Sequence, residues 1–260
     1  MPMTAVGQLA FATTLKPAVV NGKTSRDATD MSHQQQINKK FDQNFAACYS
    51  DKVQATVPGY NFLHDMAAAL IGANVADDAN VLIAGPGIGK ELITLGNRFK
   101  QWRLTAFDPS PDMLELSRQA MIRHGLDGRV TLVQGTVDTV QTGEPFDAAI
   151  AVLVMHFLPD DGPKAGFLNG LCTHLKTGAP LILADMHGQR GQAATEHLYQ
   201  CWKRYLQQIH YDAGAVDNEL SMLHFVSEHR IIELLSEAGF DGIAEFYRAF
   251  LFGGWFARKH

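Results

Sequence analysis

Apolar residues in the middle of the chain fall into short unbroken runs separated by amphipathic stretches. Val81 to Ala84 is such a run, as a parallel strand buried on both faces requires, and Gly85 ends it at once. Leu92, Ile93, Leu95 and Phe99 then recur near helical spacing, so Lys90 to Phe99 is expected to be a helix. Trp102 to Asp108 reads as the second strand, and Asp112 to His124 as a helix stopped by Gly125. Val130 to Val133, Phe146 to Val154 and Leu181 to Ala184 read as further strands, with a helix over Pro163 to Leu175. This alternation predicts parallel βαβ units with right-handed crossovers and a ligand crevice at the carboxyl ends of the strands.

The flanks pattern differently. Residues 1 to 33 mix Thr, Ala, Gly, Ser and Gln without periodicity and read as a flexible leader, so that Met31 is itself a candidate start. From Gln35 the spacing of Ile37, Phe41 and Phe45 is helical; Val57, Pro58, Gly59 and Tyr60 interrupt it, and Phe62 to Ile71 resumes it. Beyond Asp185 a helical insertion runs from Ala193 to about His210, followed by a polar loop and a helix from Ser227 to Glu237. Ile243 to Phe250 and Trp255 to Ala257 form a closing hairpin expected to turn around Gly253 and Gly254. The expected division is a leader (1–33) and one domain (34–260), with cap helices over 34–75 and the insertion over 190–225.

Bulk properties narrow the classes. With 260 residues, 46% of them hydrophobic, the chain has material for a sizeable core. A net charge of -5 supplies no global field toward nucleic acid or anionic membrane, and no apolar run approaches the roughly 20 residues a membrane span needs. Cys48, Cys172 and Cys201 have neither paired nor metal-like spacing, which argues against a disulfide framework and a zinc site and leads us to expect a reducing cytoplasm.

The chemistry begins at the glycine turn, GPGIG. Gly85, Gly87 and Gly89 let a ligand approach main-chain N–H groups without meeting a β-carbon. A dinucleotide fingerprint starting at Gly85 would need its third glycine at position 90, where this chain has Lys90, and the nicotinamide reading loses support there. About 20 positions beyond the turn, Asp108 ends the second strand, where a carboxylate can accept hydrogen bonds from both hydroxyls of a ribose. Its plainer role is capping chemistry with Pro109, Ser110, Pro111 and Asp112.

GPGIG after a strand, FDPSPDMLELSRQ, FDAAIAVLVMHFLPD, LKTGAPLILADM and a terminal EFYRAFLFGGWFARK, in that order, resemble the class I S-adenosylmethionine-dependent methyltransferases over residues 35 to 258. The resemblance implies a Rossmann-like, doubly wound α/β sheet of seven strands, mostly parallel with an antiparallel last strand. It implies S-adenosylmethionine as cofactor, S-adenosylhomocysteine as product, and methyl transfer to a small-molecule acceptor by in-line displacement. Gly85, Pro86, Gly87 and Gly89 would then face the aminoacyl part of the cofactor, and Asp108, with Pro109 and Met113 behind it, the ribose. Gly135, Thr136 and Val137 would border the adenine, with Thr136 where the family usually has an acid and Asp138 as a substitute carboxylate; Val152 would border the sulfonium. Nucleic acid is not expected as a direct substrate, a homodimer is compatible with the family, and a non-catalytic module that only binds the cofactor is the other class to test.

Three places are candidates on the acceptor side. His156 is a general-base candidate, since neutral imidazole can take a proton near pH 7, although a histidine beside Phe157 and Leu158 is also an ordinary packed turn residue. Asp185 and His187 follow at the same mouth, where a solvated loop is the plainer expectation; Tyr60 in the cap is equally readable as a packed tyrosine. In the insertion, Tyr199, Trp202, Lys203, Arg204 and Tyr205 interleave rings and cations, the composition of a face that holds a planar or anionic ligand or simply of a half-solvated helix. VPGY, the W-K-R of the insertion and the F-x-F-G-G ending are also similar to the carboxy-S-adenosylmethionine synthases of tRNA wobble-uridine modification, in which an arginine matching Arg204 binds a carboxylate. GPGIG departs from that branch, whose glycine turn has Cys-Ser-Leu.

Overall fold

A computed structural model describes residues 52–260, so the expected leader and the start of the cap helix at Gln35 lie outside the described residues. Seven strands form one sheet in the order β3-β2-β1-β4-β5-β7-β6. They are β1 (Asn80–Ala84), β2 (Arg103–Asp108), β3 (Val130–Gln134), β4 (Ala148–Val152), β5 (Pro180–Met186), β6 (Phe240–Ala249) and β7 (Phe252–Lys259). The first five are parallel; β7 runs antiparallel between β5 and β6. The central strands are apolar without a break because both their faces are covered. Val81, Ile83, Ile150 and Ile182 point into one core layer, while Leu82, Ala149, Leu181 and Leu183 point into the other.

The helices are α1 (Tyr60–Gly72), α2 (Lys90–Arg98), α3 (Pro111–Arg123), α4 (Pro163–His174), α5 (Ala193–Gln208), α6 (Ala213–Leu220) and α7 (Glu228–Glu237). In α2 the stripe of Leu92 and Leu95 is fully covered, worth about 1.5–3 kcal/mol per side chain. Ser110 caps α3 by accepting from Met113 N–H, and Ser227 caps α7 by accepting from Arg230 N–H. The insertion is tied down from within the molecule: Trp202 Nε1 of α5 donates to the Thr56 carbonyl at 2.7 Å. The Tyr247 hydroxyl on β6 donates to the Pro58 carbonyl in the bend before α1.

Three local expectations change. The hairpin turns at Phe250 and Leu251, and Gly253 and Gly254 lie inside β7. A β-carbon at Gly253 would meet the Trp255 ring at 2.6 Å, so this glycine makes room for packing instead of for a bend. The sixth strand starts at Phe240, earlier than the apolar pattern indicates. The fourth is shorter than Phe146 to Val154: Phe146 forms only an isolated bridge with Leu175, and Leu153 leaves the strand with φ 59°.

Candidate active site

The turn after β1 folds over the tip of β2. Gly85 N–H donates to the Phe107 carbonyl at 2.9 Å, and Gly89 N–H closes the turn on the Pro86 carbonyl at 2.7 Å. Gly85, Gly87 and Gly89 all have positive φ, which an L side chain rarely adopts. Gly89 also lies against α3, where a β-carbon would meet that of Ala120 at 2.8 Å. The close helix packing that the dinucleotide fingerprint assigns to a third glycine is therefore met one position early, and Lys90 is free to open α2.

Asp108 ends β2 beside this turn. One carboxylate oxygen accepts from Ser110 N–H at 2.8 Å, and the Gly87 backbone also bonds the carboxylate. Burial nevertheless pushes its pKa up to about 6, outweighing the two backbone hydrogen bonds that lower it. Pro109 and buried Met113 follow it into α3. Beyond β3, Gly135 N–H donates to the Asp108 carbonyl at 3.0 Å; Thr136 and Asp138 are exposed, and Val137 is buried. Val152 is buried at the tip of β4. The glycine turn, Asp108, the Gly135 to Val137 segment and Val152 thus stand at the carboxyl ends of four adjacent parallel strands. This arrangement suits an adenosine-bearing ligand, with a turn whose glycines carry no β-carbon and, beside it, a buried carboxylate at the tip of the neighbouring strand.

The second half of the site is organised by Asp185. The plain expectation of a solvated loop is overturned: Asp185 is the penultimate residue of β5 and 1% exposed. Its carboxylate accepts from Met155 N–H at 2.7 Å, His156 N–H at 3.2 Å and Met186 N–H at 2.7 Å. It also lies 2.5 Å from His156 Nδ1. That contact assigns the ring hydrogen to Nδ1, and Nε2 has no hydrogen-bond partner among the described residues. His187, buried too, is turned elsewhere, packed edge-on against Trp255 and near Arg248; burial, then Arg248, lowers its pKa.

Sequence reasoning missed Lys164. It is 1% exposed, and its ammonium donates to the Met155 carbonyl at 2.8 Å and the Leu158 carbonyl at 2.6 Å, holding both ends of the short 3-10 turn that carries His156. Nothing in PDDGPKAGF marks that lysine as buried. Leu153, with its left-handed backbone, bends the chain from β4 into this turn and donates to the Ala184 carbonyl at 2.7 Å.

Over the tips of β4 and β5 lies a cavity of about 90 Å³, lined in part by His156, Leu153, Met186, Trp202 and Phe252. Tyr60, Tyr199 and Arg204 do not line it. Tyr60 is packed against the His64 ring; Tyr199 is half-buried beside Trp202 and under Lys203; Arg204 is exposed, two residues from the buried Trp202.

Residues 81–178 match the family described as "Methyltransferase domain". The chain is 24% identical over 235 residues to the carboxy-S-adenosyl-L-methionine synthase of Chromohalobacter salexigens, covering 85% of this chain and 84% of that protein. It superposes on an O-methyltransferase family protein from Burkholderia thailandensis with TM-score 0.60 and 13% identity, over 87% of this chain and 62% of that one, so it spans less than two thirds of that protein. It also superposes on the methyltransferase solved in complex with the Haloferax volcanii Trm112 activator, with TM-score 0.61 and 14% identity, over 86% of this chain and 97% of that one. Strand order, the superpositions and the match over residues 81–178 define the class by its fold: a domain of methyltransferase architecture. Among the described residues no helix is long and apolar enough to cross a membrane.

Proposed function

We propose that the protein transfers the methyl group of S-adenosylmethionine to a small-molecule acceptor, with the cofactor in the crevice at Gly85 to Gly89, Asp108, Gly135 to Val137 and Val152. The observation that carries this reading is the His156–Asp185 pair, 2.5 Å apart and buried, beside a cavity at the same strand tips. The cofactor supplies a methyl on a cationic sulfur, already activated toward a lone pair. The chain's task is alignment, for which effective molarities reach ~10⁵ to 10⁸ M, and disposal of the acceptor's proton. Asp185 orients the imidazole through Nδ1, and Nε2 receives the proton. The experiment is calorimetric titration with S-adenosylmethionine followed by a mass-spectrometric search for methylated products. Unchanged binding in both Gly87→Val and Asp108→Ala would contradict the placement, and binding without turnover across a broad acceptor panel would favour a non-catalytic module.

A second reading, carboxylation of the cofactor, is favoured by the carboxy-S-adenosylmethionine synthase relatives that align with most of the chain. The exposure of Arg204 weighs against it. Mass spectrometry of ligand that copurifies separates the two: a carboxylated cofactor that disappears in Arg204→Ala would replace methyl transfer.

A further inference from the structure

We propose that Lys164 is a positioning residue for the transfer: with Asp185 it brackets the peptide group between Met155 and His156 and so keeps the imidazole seated at the cavity. This rests on the methyl-transfer reading above, and adds the residue that holds its proton acceptor in place.

The bracket is built on one peptide plane. On one side the Lys164 ammonium donates to the Met155 carbonyl at 2.8 Å; on the other, His156 N–H donates to the Asp185 carboxylate at 3.2 Å. The carbonyl and N–H of a trans peptide point in opposite directions, so a cation at one end and an anion at the other align with its dipole and resist its rotation. The flanking groups repeat the pattern. Met155 N–H donates to the same carboxylate at 2.7 Å, and the ammonium also holds the Leu158 carbonyl at 2.6 Å. The ring of His156 then meets Asp185 through Nδ1 at 2.5 Å. Backbone and side chain of one residue are thus fixed to a single carboxylate, with Lys164 pulling from the far side of the turn.

Helix stability does not ask for this lysine. Lys164 is the second residue of α4, where the helix dipole disfavours a cation. It is also 1% exposed, and an ammonium there is costly unless charge-assisted hydrogen bonds hold it. Nor does the turn need it to close, since Phe157 N–H already donates to the Val154 carbonyl at 3.2 Å. The charges that face the ammonium are Asp185 and Asp160, and Asp160 is taken at the surface by Arg230 at 3.1 Å. Asp185 is left as the buried counter-charge. Lys164 does not line the cavity, so what it governs is the aim of His156.

The test reads His156 directly, in long-range proton–nitrogen correlation spectra of the full chain at alkaline pH, with signals assigned by their loss in His156→Gln. The wild type is expected to show a single tautomer with its hydrogen on Nδ1. Lys164→Met is expected to turn that tautomer into a mixture, and to quicken hydrogen exchange at the His156 amide about tenfold or more beyond any change at Ile83, in the middle of β1. A lysine that served stability alone would quicken both amides alike and leave the tautomer as it is. S-adenosylhomocysteine affinity is expected to stay within about twofold, since the cofactor crevice lies apart from the bracket. Should Lys164→Met not fold, Lys164→Gln, whose amide ends short of the ammonium's position, is expected to give the same mixture. A single Nδ1–H tautomer retained in the folded variant, or a wild type with its hydrogen on Nε2, overturns the proposal and leaves the methyl-transfer reading standing. If the wild type does not bind S-adenosylhomocysteine, the methyl-transfer reading falls, and Lys164 loses the reaction it would serve.

Discussion

His64 Nε2 lies 2.9 Å from Glu91 Oε1, and its Nδ1 lies 2.8 Å from the Tyr60 carbonyl oxygen, all of it buried. A carbonyl only accepts, so Nδ1 carries a hydrogen; the other contact needs one more proton, on the ring or on the carboxyl. The pair is net neutral either way, and it joins α1 to the first turn of α2 directly behind the glycine turn.

Removing one partner of such a pair strands the other. Glu91→Ala is expected to cost about 3–5 kcal/mol, seen as a fall in the urea midpoint at unchanged slope. A loss under about 1 kcal/mol would mean the contact is worth no more than an exposed ion pair.

Asp108 couples pH to both stability and ligand affinity, in opposite senses. Its folded pKa of about 6 lies above the ordinary 3.8, so between these values the folded chain binds more protons than the unfolded one. Stability is therefore fully present below pH ~4 and declines toward pH ~6, by an amount on the order of 3 kcal/mol. Asp108→Asn should flatten that slope. Cofactor binding through the ionised form should tighten by up to about tenfold per unit as pH rises to about 6, then level off. A calorimetric profile flat below pH 6 would remove Asp108 from the ribose.

His156→Gln is expected to lower kcat by about 10² to 10⁴ while the cofactor Kd stays within about twofold. Asp185→Asn leaves an oxygen for the Met155 N–H but takes away the charge opposite the imidazole, so a loss of kcat in the same direction is expected. Less than tenfold loss in both variants would show that alignment alone carries the rate.

Lys164 titrates below the usual ammonium range because it is buried, an effect that Asp185 and Asp160 only partly oppose. The unfolded chain then holds more protons at alkaline pH, and stability should rise with pH until the ordinary lysine value is reached. Lys164→Met should abolish that rise and leave two turn carbonyls without a donor, costing about 1–3 kcal/mol for each. Equal pH slopes in chemical denaturation of the two proteins would contradict it.

The alternation of strands and helices was legible because buried parallel strands and amphipathic helices have different periods, and the glycine turn and Asp108 announce themselves at the end of such runs. The acceptor side was not. Asp185 sits in ADMHG, whose local composition suits a loop, and what makes it interior is a turn 29 residues earlier whose N–H groups converge on it. Lys164 has the same character, since a buried lysine is defined by carbonyls that only the folded chain brings together. Gly253 and Gly254 misled in the opposite way: a pair of glycines implies a bend, whereas Trp255 and Phe246 needed the space.

His224 N–H donates to the His156 carbonyl at 2.7 Å, so the segment roofing the cavity and the turn that carries the imidazole share a backbone contact. The loop at Leu223 and His224 and the turn at His156 are thereby one mechanical unit, so a substitution that loosens either is expected to loosen the other.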